Sequence, residues 1–509
     1  MSHPTSASAR AGRREWTGLA VIALPCMLYS MDLTVLNLAV PALSADLQPT
    51  SAQLLWIVDI YGFLVAGSLI TMGTLGDRIG RRKLLLIGAA AFGLASVLAA
   101  LANSANMLIA ARAVLGVAGA TLAPSTLSLI RNMFLDPRQR SIAIGIWIAS
   151  FSAGGALGPV LGGVVLAHFS WGAVFLLAVP VMVLLLVLGP LLLPEFKDPN
   201  AGRLDLPSAA LSLAAVLAVI YGIKRLAEAG WAWSPLLAVV AGAVLGALFL
   251  RRQGRLEDPL IDTRLFRSPA FSAALAINIL GFFAMFAAFF YVAQYLQLVL
   301  GMGPIEAGLW SVPSALAFTV GSMVAPAIGH RFRPAWVMAA GLAFSALGFL
   351  MLSQVTLQSP LALLVAGSMV FSLGLTPVVS LTTDLLMGAA PPERAGSVAA
   401  ISETSSEFGG ALGIAVLGSV ATAAYRSHIT QAMPSGLSPQ ATEAAQGTAG
   451  AAIALAQELP QALGAQLLGA AREAFLHGLQ LSAAISAAVL VAACLLAVVA
   501  LRRVRPSGT

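Results

Sequence analysis

The chain has 509 residues, of which 59% are hydrophobic and only 10% charged, with a formal net charge of +7 and a mean hydropathy of +0.90. That much apolar side chain exceeds what a soluble core hides, so composition excludes a soluble globular domain and implies many membrane spans. No basic run carries the interleaved aromatics of a nucleic-acid surface, which leaves the positive charge as a topology signal.

Runs of about 20 apolar residues, the length that crosses a hydrocarbon core, fall near 16–41, 54–75, 84–102, 107–130, 141–167, 171–193, 207–223, 234–250, 270–298, 305–329, 335–354, 360–383, 396–425 and 476–501. The first is longer than a signal-peptide core and lacks a small-residue cleavage pattern, so it reads as a retained span. Fourteen spans put both termini on one side. Of the 28 Lys and Arg, 23 fall in segments on that side, while Lys224, Arg225, Arg426 and Arg472 lie opposite and Arg112 lies within a span. Cytoplasmic segments carry the excess of Lys and Arg, so both termini are expected in the cytoplasm.

The first span places Asp32 among Met31, Leu33 and Val35. An ionisable group at membrane depth is costly and is by default functional; a carboxyl there suits reversible protonation. In the second span Asp59 follows Trp56 by three residues and Tyr61 is near, an arrangement that suits a lipophilic cation through charge and cation–π contact. The segment after it, Gly73-Thr-Leu-Gly-Asp77-Arg78-Ile-Gly80-Arg81-Arg82-Lys83, reads as a glycine-hinged, charged loop in which Asp77 pairs with arginines or caps the next helix. Arg112, in the fourth span within Arg112-Ala-Val-Leu-Gly116, is the expected counter-charge for a buried acid, since it cannot escape by deprotonating.

The fifth span carries Gly154-Gly155-Ala-Leu-Gly158-Pro159-Val-Leu-Gly162-Gly163, small residues for close helix approach and a proline that permits a bend. Polar linkers at 194–203 and 251–269 bracket two spans, giving expected units of 1–195 (a six-helix bundle), 196–265 (two inserted helices) and 266–509 (a second six-helix bundle). Asp384 stands near the inner end of its span and reads as an interfacial acid. Glu403 and Glu407, four residues apart, share one face of the thirteenth span; two like charges that close in low dielectric do not both ionise, so at least one holds a proton at rest. The outer segment 426–475, rich in Ala and Gln, predicts a helical hairpin with helices at 442–459 and 461–476.

These motifs together resemble the major facilitator superfamily. Gly73 to Lys83 is similar to its loop signature and Gly154 to Gly163 to the fifth-helix signature of its antiporters. Met31-Asp32-Leu-Thr34 through Pro41, with Leu55 to Tyr61, Pro124 to Arg131 and Trp171 to Pro180, resembles the fourteen-helix drug:proton branch of QacA, SmvA and LfrA type quaternary-ammonium exporters. The resemblance implies an all-α major facilitator fold and proton-coupled efflux of lipophilic cations such as quaternary ammonium compounds, dyes and biocides. It also implies a multi-pass monomer among the lipids of a bacterial cytoplasmic membrane, powered by the proton gradient with no cofactor. Two departures stand out: Ala178 replaces an asparagine usual before Val-Pro, and Phe318 in the tenth span stands where QacA-type pumps carry an acid.

Enzyme chemistry finds little support. The five histidines lie in the tail, loops or interfacial positions, the two cysteines fall in apolar runs, and neither a metal cluster nor an ATP-type phosphate loop is evident. Three functions remain: an exporter of lipophilic cations, a transporter of the same fold for a metabolite or peptide, and a non-transporting membrane sensor. Retained intramembrane acids disfavour the last.

Overall fold

The structure, a computed structural model, describes residues 10–49, 51–197, 205–229, 232–257, 259–389, 395–502 and 504. In chain order the helices are α1 (Arg13–Leu47), α2 (Ser51–Ile79), α3 (Arg81–Ala100), α4 (Ala105–Gly119), α5 (Leu122–Met133), α6 (Pro137–His168), α7 (Ala173–Leu176), α8 (Ala178–Leu192), α9 (Leu206–Ala229), α10 (Trp233–Gln253), α11 (Pro269–Gln294), α12 (Pro304–Arg331), α13 (Pro334–Ser353), α14 (Leu361–Gly388), α15 (Ala395–Gln431), α16 (Pro439–Gly447), α17 (Ala449–Glu458) and α18 (Gln461–Leu501). No strand occurs among the described residues, as expected where lipid offers backbone groups no partner. Thirteen segments among these residues are long and apolar enough to cross a membrane. Their outer faces expose Leu94 (69%), Leu237 (63%) and Val499 (67%), side chains that lipid, not water, accepts.

Helix starts follow local chemistry. Ser104 caps α4 through Met107 N, Asp136 caps α6 ahead of Pro137, and Ser268 caps α11 ahead of Pro269. Helices α4 and α5 together make the predicted fourth span, and the C-terminal end of α11 passes into a π-helical turn at Tyr295–Val299.

Helices α1 to α8 pack on one another, chiefly α1 on α6, α2 on α4 and α3 on α8; α11 to α18 do likewise, chiefly α13 on α14, α11 on α15 and α13 on α18. Two seams join the groups, α2 with α5 against α15 and α6 against α12 and α14. The α9–α10 hairpin lies outside the first seam, where Ile220 meets Phe63 and Ala66 of α2. At its base Arg252 donates to both carboxylate oxygens of Asp205 at 2.8 and 3.0 Å, which with the Ser208 hydroxyl holds that carboxyl down at about 2.

Two expectations change. Gly73 to Ile79 is not a loop: α2 continues through it, and the turn is made at Gly80, whose φ of 115° favours glycine. The outer segment is helical, but the predicted 442–459 helix divides at Thr448, whose hydroxyl caps α17, and the predicted 461–476 helix is the beginning of α18. No proline interrupts 461–501, so the last span extends unbroken beyond the membrane-length segment. Tyr425 Oη donates to Ala445 O at 2.8 Å and ties α16 to α15.

Candidate functional site

The apolar run of α1 carries Tyr29 and Asp32 three residues apart, hence on one face. Asp32 Oδ2 lies 3.2 Å from Nη1 of Arg112 on α4, and that guanidinium is 1% exposed. Arg112 Nη2 also donates to Val58 O at 3.4 Å, and its charge sits 5.1 Å from the centroid of the buried Tyr61 ring. The spacing Arg112…Gly116 has a packing cause: a Cβ at Gly116 would stand 2.6 Å from Tyr61 O, so only glycine lets α4 come that near α2. Asp32 borders a narrow recess lined by Leu28, Val35, Phe92, Phe175 and Ala178. Ala178 leaves this wall apolar where an asparagine would offer a hydrogen bond.

An aromatic path leads from this pair to the opposite group of helices. Tyr29 lies 6.1 Å from Tyr61 and 5.7 Å from Phe151, which stacks edge-on with Trp147 at 4.8 Å. Tyr29 Oη donates to Glu407 Oε1 on α15 at 3.0 Å. One turn along α15, half-buried Glu403 lies near enough to Cys26 and Tyr29 to interact with them electrostatically, and its carboxyl makes no hydrogen bond among the described residues. Thus Asp32, Arg112, Tyr61, Glu403 and Glu407 converge on the space between α1, α2, α4 and α15.

The structure does not join the predicted aromatic candidates. Trp56 is 44% exposed and packs edge-on against Phe63 at 6.4 Å, on the face turned toward α9, whereas Tyr61 faces Arg112. Five residues of helix put the two about 140° apart, too far to line one wall. The side chains of Asp59 and Pro159 lie outside the described residues. Phe318 is buried in the core of α12.

Sequence reasoning missed Tyr29, Trp147 and Phe151. Tyr29 is one turn before Asp32, and Trp147 and Phe151 form an i,i+4 aromatic pair; both signals were present in the spacing.

At the basic end of the bundle the glycine-rich signature forms a latch. Arg81, fully buried, pairs with Asp77 and donates to Gly73 O at 2.7 Å. A Cβ at Gly76 would displace the Arg81 guanidinium, 2.7 Å away at Nη1, from its seat, and Gly80 takes a positive φ that favours glycine. Arg78 closes the last turn of α2. Asp77 Oδ2 then reaches across the seam and accepts from Ser397 N, in the first turn of α15, at 3.1 Å. A carboxylate there satisfies an otherwise orphaned helix N–H and complements the helix dipole. The other seam is held in kind: Asp384 accepts from Ser141 Oγ at 3.4 Å and lies 3.6 Å from Arg140 Nε, and Arg131 donates to Met387 O. Asp384, near the end of its span, is therefore a contact between the two groups.

The fifth-span glycines act on α1. A Cβ on Gly154 would overlap the Met27 carbonyl, and Gly155 faces Ser30. Gly158 is buried on the same helix, which runs unbroken from Pro137 to His168.

A helical bundle with a buried ion pair at its centre and polar latches across both seams at one end is the architecture of a membrane transporter. The Major Facilitator Superfamily profile matches residues 22–414, and the chain belongs to that superfamily, a transporter and not an enzyme. Over 98% of this chain and 99% of its own length, the multidrug efflux pump LfrA of Mycolicibacterium smegmatis is 43% identical. The methyl viologen resistance protein SmvA of Salmonella typhimurium is 35% identical over 94% of this chain and 97% of its own length. Among solved structures, the human organic anion transporter MFSD10 superposes with a TM-score of 0.64 at 15% identity, covering 95% of this chain and 99% of that one, which speaks to fold alone.

Proposed function

We propose that the chain is a proton-coupled multidrug antiporter that expels lipophilic cations, among them quaternary ammonium compounds, dyes and biocides, across the bacterial cytoplasmic (inner) membrane. The observation that carries this reading is the path from the buried Asp32–Arg112 pair through Tyr61 and Tyr29 to Glu407, which connects titratable groups of both helix groups at the central seam. Asp32 takes and releases the proton, Arg112 sets its balance, and Glu403 with Glu407 receives the cation against aromatic faces. Asp59, on α2, is kept as a further candidate cation-binding acid on the strength of its position in an apolar span. The glycine-rich signature and Gly154, Gly158 and Pro159 serve the conformational cycle.

In this reading α1 joins the thirteen apolar segments to make fourteen spans, the Lys and Arg excess assigns both termini and the latched end to the cytoplasm, and α9 and α10 are inserted between six-span halves 1–195 and 266–509. The working unit is a monomer that draws on the proton gradient and needs no cofactor. The names of the LfrA and SmvA relatives support a drug-export reading over a metabolite carrier, a peptide carrier or a sensor.

The test is ethidium transport in everted membrane vesicles. Expected is accumulation driven by an imposed pH gradient and collapsed by an uncoupler. Accumulation indifferent to the uncoupler would remove proton coupling; no accumulation of ethidium or of a quaternary ammonium would remove the cation reading.

A further inference from the structure

A second polar cluster, unread in the sequence, sits behind the glutamates. Asn278 is a lone amide in the apolar α11 run Ala273 to Met285 and is 2% exposed. Its Nδ2 donates to Ser405 Oγ at 2.8 Å and to Ser406 Oγ at 2.9 Å, with Ser402 O at 3.4 Å, while its Oδ1 accepts from Thr382 Oγ1 of α14 at 3.2 Å. Both serine hydroxyls pass their protons on to Ser402 O, at 2.7 and 3.1 Å. Every donor has an acceptor, which is the condition for a buried polar network to fix one arrangement.

The placement of these contacts gives them a purpose. Ser402 and Ser406 immediately precede Glu403 and Glu407, so the amide grips α15 on the side facing away from the cavity, beside each acid. Elsewhere on the α11–α15 contact Gly409 and Gly413 rest on the Ile279 and Phe283 carbonyls, where any Cβ would collide, which allows close approach. A further side-chain hydrogen bond, Tyr291 Oη to Leu417 O at 3.4 Å, lies about three turns beyond Ser406 and away from both acids. Rotation of α15 matters, because 20° moves an atom about 5–6 Å from a helix axis by about 2 Å. A shift of that size breaks the 3.0 Å bond between Tyr29 and Glu407.

We propose that Asn278 is a positioning residue: its clasp on Ser405 and Ser406 fixes the rotation of α15 and thereby aims Glu403 and Glu407 at the cation. The proposal rests on the cation-binding reading of those acids. It assigns Asn278 no contact with substrate or proton.

The test is efflux of ethidium and of a neutral substrate by Asn278→Leu, by Ser405→Ala/Ser406→Ala, by Glu403→Gln/Glu407→Gln, and by the last combined with Asn278→Leu. Asn278→Leu is expected to raise KM for ethidium about tenfold with kcat within about twofold, and to leave the neutral substrate unaffected. The serine pair removes the same bonds from the α15 side and must reproduce this, which keeps the test decisive should Asn278→Leu fail to insert. In the glutamine background the Asn278 effect is expected to vanish, since nothing remains to be aimed. Equal loss for both substrates, or an undiminished effect in the glutamine background, overturns the proposal and leaves Asn278 as packing. If the glutamine pair itself transports ethidium like the wild type, the cation-binding reading falls and takes the proposal with it. If the glutamine pair loses ethidium while both clasp variants keep it, the proposal alone is wrong.

Discussion

Asp32→Asn isolates the proton step from the fold. Asp32 and Arg112 are 3.2 Å apart, a separation worth about 5 kcal/mol of attraction at an effective dielectric of about 20, before desolvation is charged against it. Removing one partner of a buried pair typically costs 3–5 kcal/mol, because the remaining charge is stranded. The asparagine carbonyl still accepts from Arg112, and Val58 O and the Tyr61 ring remain, so the loss is expected near the bottom of that range, about 3 kcal/mol. Purified Asp32→Asn should therefore unfold at a lower temperature yet insert and bind ethidium, while pH-gradient-driven uptake into vesicles disappears. Adding Arg112→Gln removes the stranded charge, so Asp32→Asn/Arg112→Gln should regain most of the thermal stability and none of the transport. Asp32→Asn that concentrates ethidium under a pH gradient at the wild-type rate would refute the coupling role. A double variant no more stable than the single one would refute the stranded-charge account.

Asp77→Ala removes the acceptor that holds α15 from α2, and neither partner lines the cavity; ethidium affinity should stay within about threefold while turnover falls more than about tenfold, a loss read as a barrier effect, and the reverse pattern would sink the latch assignment. Glu403→Gln should selectively lose cationic substrates and Glu407→Gln, which keeps an acceptor for Tyr29, should shift the pH profile of exchange; unchanged profiles in both would make the pair structural. Asp205 is held low by Arg252, so its contribution to stability is present above the ordinary carboxylate range near 4 and is lost as pH falls toward about 2. Thermal unfolding of Asp205→Asn against the wild type should therefore differ at pH 7 and converge near pH 2; a difference that persists unchanged into acid counts against the pair.

Much of the fold was legible because lipid leaves little freedom: an apolar run of sufficient length must be a helix, and the charge asymmetry gives such runs a direction. What failed was local. Nothing in Gly73 to Lys83 says that the helix continues to Ile79, since glycine and aspartate are turn residues by propensity and only the burial of Arg81 against Gly73 and Asp77 explains why the helix persists. For the site, isolated charges in apolar spans marked Asp32, Arg112, Glu403 and Glu407, and the structure brings all of them to one seam. Trp56 and Tyr61 were grouped by nearness along the chain, which helical rotation separates. Tyr29 and Asn278 escaped notice because an uncharged polar side chain in an apolar run does not stand out as an isolated charge does, and its importance depends on a partner more than a hundred residues away in the chain.

The latched end has an energetic logic of its own. Among the described residues the contacts that cross the seams there include Asp77 to Ser397, Ser141 to Asp384, Arg140 to Asp384 and Arg131 to Met387. Each is polar and each reaches a helix terminus or a single side chain, so each contributes about 1 kcal/mol net, and together they favour this arrangement by a few kcal/mol. An elementary charge moved through a potential of 100 mV releases about 2.3 kcal/mol, so in the proposed cycle one or two protons suffice to open such a seal. A seam closed by buried leucines would be a different device, because burying a few such side chains is worth about 2 kcal/mol each and would lock one state. In the proposed cycle, polar contacts at the latched end and close packing within each half would thus divide the labour, the difference between the two arrangements staying within reach of a driving proton.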